Sequence, residues 1–316
     1  MGEGVHTPSP LPGGGIKVHK KQMYGASKAT RLAYTLPCIL FYTALVILPV
    51  FMAGYYSLYK MSGPIQKEFI GLGNYSELLK DDIFWKSFKN NLFLCVVCFF
   101  GQITLAFIGA SLLNKRFLRF KAFHRTIQFF PSTVSAAVVG FVWSLMFDYK
   151  YGLINKLLKL IGLTDLVKPW LGVSDGIMWV VSIPLIWQYV GYYMIIFLAA
   201  FSSLDRDIFD MAEIDGANGW TLATKITLPL LKKTIIVCMM LCISGNMKAF
   251  DHIYSMTAGG PGTSSMVMAM YAYKTAILNS RIGYGMAMSI GILILSLAII
   301  LVSRALLQRI GGKDDY

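Results

Sequence analysis

The sequence predicts an all-α integral membrane protein with six transmembrane helices and one cytoplasmic helical loop. Three observations predict it. Of the 316 residues, 56% are hydrophobic and 14% charged, with a mean hydropathy of +0.59, where a soluble domain is about one quarter charged. A hydrocarbon core of about 30 Å takes roughly 20 apolar residues of helix, and six stretches of the chain meet that length. Finally, Lys and Arg concentrate in alternate loops.

In order, the Pro/Gly-rich opening with "TPSPLPGGG" predicts a disordered cytoplasmic segment over residues 1–30. The membrane domain occupies 31–310, with spans near Ala33–Leu58, Leu92–Asn114, Thr126–Phe147, Met178–Phe201, Thr234–Met256 and Met286–Leu307, and a short tail follows at 311–316. Polar residues interrupt the third and fifth spans. The first apolar run has no small-residue cleavage site behind it, so it reads as a retained span.

Charge sets the orientation. The opening segment carries Lys17, Lys20, Lys21, Lys28 and Arg31 against Glu3, and the loop after the second span carries Lys115, Arg116, Arg119, Lys121 and Arg125 with no acid. Positive residues stay on the cytoplasmic side of short loops, so both segments lie inside. The loops Tyr59–Asn91 (five basic, four acidic) and Asp148–Ile177 (four basic, three acidic) suit the outside. Both termini are then cytoplasmic, in a multi-pass cell-membrane protein. The net charge of +13 is split between loops, which excludes a contiguous nucleic-acid patch.

No GxxxxGK[ST] loop, HExxH pair or GxSxG elbow is present, and the four histidines are scattered, so neither ATP hydrolysis nor an intramembrane enzyme is favoured. No cofactor or metal is expected on this chain. The five cysteines fall in predicted spans, and Cys95-x-x-Cys98 reads as small packing residues rather than a redox pair.

The loop 205–233 breaks the pattern. Asp205, Asp207, Asp210 and Glu213 cluster toward the start of a helix, where the dipole favours anions. Gly216 permits a hinge before a second short helix, and Pro229 stops that helix ahead of re-entry at Thr234. Interfacial helices usually present Lys and Arg to lipid. An acidic, glycine-hinged knob suits a basic protein groove instead.

Within it, "DMAEIDGANGWTLATKITLPLL" resembles the EAA motif of binding-protein-dependent ABC importer permeases, EAAxxDGAxxxxxFxxIxLPxLxP. The match is Ala212, Asp215, Gly216, Ala217, Ile226, Leu228, Pro229 and Leu231; the departures are Asp210 for Glu, Met211 for Ala, Ala223 for Phe and Lys233 for the final Pro. "FIGLGNY" (69–75), "FWKSFKNNLFL" (84–94) and "FDHIYSMTAGGPGTSSMVMAMYAY" (250–273) resemble the sugar-permease branch, in the half that carries the GGP loop. The resemblance spans about residues 69–307. It implies the type I importer permease fold, with Asp210, Ala212, Glu213, Asp215, Gly216, Ala217, Leu228 and Pro229 as the coupling element. It also implies a second homologous permease, two ATP-binding subunits that hold ATP and Mg, and an extracytoplasmic solute-binding protein.

Sugars are held by aromatic faces and by polar groups that replace water. The fourth span offers Gln188, Tyr189, Tyr192 and Tyr193, and the fifth offers Asn246 and Lys248. Each has a competing reading. Tyr and Trp also pack or form interfacial belts, Asn246 suits an interhelical hydrogen bond, and Lys248 can pair with Asp251. The rival functions are import of another polar solute such as a phosphorylated polyol, a stand-alone secondary transporter or channel, and an intramembrane enzyme.

Overall fold

A computed structural model describes residues 28–62, 66–114 and 119–310. Residues 1–27 of the segment predicted to be disordered, the tail 311–316, and Lys115 and Arg116 lie outside the described residues. By its internal contacts the chain divides after Pro49. The described part of the first unit is helical, and α1 (Thr30–Tyr56) continues from it through Val50.

In the second unit, a short antiparallel hairpin of β1 (Tyr59–Ser62) and β2 (Gln66–Phe69) pairs Tyr59 with Phe69. The all-α expectation did not include this hairpin, whose strands of four residues each are too short for a period-2 signal. Then come α2 (Gly73–Leu79), α3 (Asp82–Asn114), α4 (Lys121–Phe129), α5 (Ala136–Met146), α6 (Leu153–Leu160) and α7 (Ile177–Ser202). They are followed by α8 (Arg206–Ile214), α9 (Leu222–Leu230), α10 (Lys232–Met247), α11 (Asp251–Thr257), α12 (Met268–Tyr273) and α13 (Ile282–Ile310).

Among the described residues, α1, α3, α7 and α13 are long and apolar enough to cross a membrane unbroken. The predicted third span is a bent pair: Lys121–Thr133 and Ala136–Met146 meet at 97°. The predicted fifth span is corrected as well. Leu222–Leu230 meets α10 at 73°, and α10 ends at Met247, so the predicted stretch to Met256 contains a break at 248–250 before α11.

Proline placement explains one bend differently from the sequence expectation. Pro229 does not end its helix. A wide π turn over Leu222–Thr227 runs directly into Leu228–Leu230. The wide turn accommodates the ring where an α-helical carbonyl four residues back would clash. The chain bends two residues later, at Leu231, which is buried to 1% exposure.

The core lies where α3, α7 and α10 cross. Met194 and Phe197 are fully buried with Ala106, Ala110, Cys238 and Cys242. Small residues bring the backbones together, which matters because lipid supplies little hydrophobic drive between helices. Close approach recurs between α5 and α11: a Cβ at Gly140 would lie 2.8 Å from the carbonyl oxygen of His252.

At the end where α3 and α13 begin, the carboxylate of Asp81 caps α3 by accepting from the amides of Ile83 (2.9 Å) and Phe84 (3.1 Å). Its other oxygen accepts from the hydroxyls of Tyr271 (2.8 Å) and Tyr284 (2.6 Å). Desolvation works to raise its pKa, but these four hydrogen bonds outweigh it and hold the carboxyl below its ordinary value of 3.8. Beside it, Arg281 donates from one nitrogen, Nη2, to both carboxylate oxygens of Glu77, at 2.6 and 2.8 Å.

Candidate functional site: a mid-helix cavity and an acidic knob

Broken helices free backbone carbonyls, which inside a bilayer must find partners within the protein. Two unbroken helices supply them. Near the midpoint of α7, Gln188 donates from Nε2 to the carbonyl of Val134 (2.8 Å), at the α4–α5 break. Its Oε1, left as an acceptor, takes a short hydrogen bond from Nε2 of His252 on α11. On α3, Asn91 donates to the carbonyls of Asn246 (2.7 Å) and Met247 (3.4 Å) and accepts from the amide of Met268 (2.9 Å). Its neighbour Asn90 donates to the carbonyls of Ser264 (3.0 Å) and Met266 (2.8 Å), pinning the glycine-proline loop. Among the described residues, no buried side-chain polar atom lacks a partner.

The break after α10 opens a cavity of about 290 Å³, lined by Tyr189, Tyr192, Tyr193, Asn246, Lys248, Asp251 and His252 among others. Five of the six residues predicted for a pathway therefore share one wall. Gln188 does not: it is 1% exposed and lies behind the wall, occupied by Val134 and His252. Asn246 is buried and turns its amide back onto Cys242, to the carbonyl at 2.9 Å and the sulfur at 3.3 Å. Among the described residues its side chain makes no bond to another helix, and the interhelical bond at this position is the one that Asn91 makes to its backbone. Lys248 is exposed on the cavity wall, and among the described residues it forms no ion pair. Pairing with Asp251 presupposed one continuous helix. Lys248 instead caps α10, and Phe250 (φ −143°, ψ −61°) separates it from the helix that Asp251 starts.

Sequence reasoning missed Asn90, Asn91, Gln102 and His252. Gln102 is likewise 1% exposed, donating to the carbonyl of Leu185 (2.9 Å) and accepting from the thiol of Cys242 (3.4 Å). The available signal was an amide side chain inside an apolar span, which needs a partner by default.

The acidic knob is built as two capped helices. Gly216 has φ +81°, the left-handed region that a β-carbon disfavours. It lets the amide of Ala217 reach back to the carbonyl of Ala212 at 2.9 Å, a Schellman closure. Asn218 then caps the next helix, its Oδ1 accepting from the amide of Thr221 at 3.0 Å. The four letters DGAN thus hold one helix end and one helix start.

The acids are distributed differently from the expectation. Asp205 precedes α8 and accepts from the amide of Asp207 (3.1 Å), but Asp210 lies mid-helix and Glu213 in the last turn. Asp207, Asp210, Met211 and Ile214, at i, i+3, i+4 and i+7, form one exposed stripe, with Ile214 85% exposed and Ala212 buried on the other side. Asp215 and Pro229 are also exposed, while Ala217 and Leu228 are half-buried.

Helices of membrane-crossing length around a polar, tyrosine-lined cavity, with an exposed knob between two spans, define a polytopic membrane transport subunit. Residues 102–312 match the family described as the binding-protein-dependent transport system inner membrane component, and the chain belongs to that family. It is 36% identical over 233 residues to a probable ABC transporter permease protein of Pyrococcus horikoshii, covering 74% of this chain and 80% of that one. It is 31% identical over 243 residues to the lactose transport system permease protein LacF of Rhizobium radiobacter, covering 76% and 81%. Its fold is that of a chain in the crystal structure of a bacterial ABC transporter involved in the import of the acidic polysaccharide alginate. The TM-score there is 0.76 at 23% identity, covering 89% of this chain and 96% of that one.

Proposed function

We propose that the chain is the permease subunit of an ATP-driven importer for sugars or oligosaccharides in the cell membrane, with both termini cytoplasmic. The observation that carries this reading is the cavity at the α10 break, where three tyrosines, an asparagine, a lysine and an aspartate converge in an otherwise apolar helical unit. Aromatic faces with a few convergent polar groups are the chemistry of sugar recognition. The transport of lactose by a relative supports the same class. A volume of about 290 Å³ lies at the small end for ligand sites, which suits half of a pathway completed by a second permease.

ATP and Mg belong to two partner ATPase subunits, and a solute-binding protein delivers the sugar from outside. The 205–233 knob docks on the ATPase: the exposed Asp207/Asp210 carboxylates meet a basic groove while Met211 and Ile214 fill its apolar floor. Closure of the ATPase dimer then moves α7 and α10 through the two capped helices, and the permeases alternate between inward and outward access. Lys248, free of an ion pair among the described residues, hydrogen-bonds substrate hydroxyls from the cavity wall.

The test is ATP-driven uptake by the complete transporter in proteoliposomes. Tyr192→Ala and Asn246→Leu are expected to raise KM for the sugar tenfold or more, by roughly 1.4 kcal/mol of lost binding or above, with ATPase docking intact. Gly216→Pro is expected to abolish ATP-driven uptake while substrate still binds. Unchanged KM in the first pair removes the cavity from the pathway, and undiminished uptake by Gly216→Pro removes the knob from coupling.

A further inference from the structure

The sequence between Asp82 and Asp148 contains no acidic residue, and its basic cluster runs into α4. Helical spacing divides that helix into two sides. Lys121 and Arg125 stand four apart on one side, flanked by His124 and Gln128, while Phe123 and Ile127 stand four apart on the other. Phe123 is 62% and Ile127 53% exposed, and Arg125 and the preceding Arg119 are exposed as well. Phe120, in a left-handed conformation at φ +57°, adds a third apolar side chain at 78% exposure.

Two further observations fix the setting. The 97° bend between Lys121–Thr133 and α5 means that α4 does not continue the line of α5, so its faces are turned differently from those of the span that follows. At its last turn, the backbone of Gln128 lies against Gly191 and its side chain against Gly109, so this end is fastened to α7 and α3 while the earlier residues stay free. Among the described residues, none of the α4 cations has a carboxylate partner.

We infer that α4 is an interfacial anchor that binds anionic phospholipid: Arg119, Lys121 and Arg125 contact the headgroups, and Phe120, Phe123 and Ile127 enter the acyl boundary. Charge complementarity chooses the occupant. A helix with clustered Lys/Arg on one side and Phe/Ile on the other is the composition that binds an anionic bilayer surface. The exposed face of α8 has the opposite charge, so the two cytoplasmic-side helices divide the work: α8 meets a basic protein and α4 an acidic membrane. Holding α4 to the surface fixes the elbow from which the third span bends, and through Val134 and Gln188 the wall behind the cavity. The inference rests on membrane insertion and does not depend on the sugar reading.

The full-length chain, purified in detergent, is titrated with phosphatidylglycerol or phosphatidylcholine, and bound lipid is counted by native mass spectrometry. Phosphatidylglycerol is expected to bind more tightly. Lys121→Gln with Arg125→Gln should weaken it by roughly fivefold per cation removed, whereas Lys156→Gln with Lys159→Gln on α6 should leave it unchanged. Equal affinity of the parent for both lipids, or an equal loss in the α6 pair, overturns the inference. So does an α4 pair that keeps its lipid affinity but no longer co-purifies with partner subunits, because α4 is then a protein contact. Should the α4 pair fail to fold, the parent decides: its phosphatidylglycerol binding must weaken with added NaCl, and salt-insensitive binding overturns the inference.

Discussion

Asn91 on α3 donates its side-chain amide to the main-chain carbonyl of Asn246 at 2.7 Å, one residue before α10 ends. The same side chain accepts from the amide of Met268 at 2.9 Å. One buried residue therefore closes the break that opens the cavity and starts the helix beyond the glycine-proline loop. Replacing it by Leu leaves buried carbonyls and an amide unpaired, at about 1–3 kcal/mol for each unsatisfied group. Asn91→Leu is expected to lower the thermal midpoint in detergent and to expose the Met268 amide to hydrogen exchange. An unchanged midpoint with a protected Met268 amide would contradict this role.

Gln188 and Tyr192 lie one turn apart on α7 but do different things. Gln188→Leu should destabilise the fold by about 1–3 kcal/mol through the orphaned Val134 carbonyl and His252. Tyr192, 38% exposed on the cavity wall, should tolerate Ala with little loss of stability and a raised KM. Parallel melting curves and uptake kinetics separate the two, and a stability loss in Tyr192→Ala equal to that in Gln188→Leu would merge them.

Gly216 provides a graded test of the knob. At φ +81°, Gly216→Asn should cost little, since Asn visits the left-handed region, while Gly216→Val should cost about 1–2 kcal/mol locally. The site is exposed, so the membrane helices should stay folded in both. The ratio of uptake to ATP hydrolysis is expected to fall in the order Gly, Asn, Val; equal coupling in all three would show that the hinge conformation is dispensable.

Asp81 predicts acid sensitivity. Its folded pKa is depressed, so the ionised carboxylate contributes stability that is fully present above the ordinary value of 3.8 and is lost as pH falls through the lower folded value. Asp81→Asn keeps a capping side chain but weakens the bonds from Tyr271 and Tyr284. Parent and variant melting temperatures should differ near neutral pH and converge below pH 3.8; a gap that widens on acidification would reverse the assignment.

The composition, the apolar lengths and the Gly216 hinge were legible as a sequence because each acts through local physics. A span needs only enough consecutive apolar residues, and the hinge needs only a glycine where the backbone turns left-handed; the Asn218 cap appeared only in the structure. The cavity-lining residues Tyr189, Tyr192, Tyr193, Asn246 and Lys248 were also found, since polar groups in apolar helices are few enough to stand out. What tertiary structure alone decided was which of the polar residues are consumed by the fold. Asn91 and Gln188 look in the sequence like candidates for a pathway as good as Asn246. Only the placement of the 134 and 248–250 breaks against unbroken helices shows that their amides are spent on freed carbonyls. The Lys248–Asp251 pair failed for the same reason: the i, i+3 rule holds on one helix, and the helix stops between them. Periodicity reports a helix while it continues, whereas the point where a membrane helix breaks is set by the partners that distant segments bring to its carbonyls.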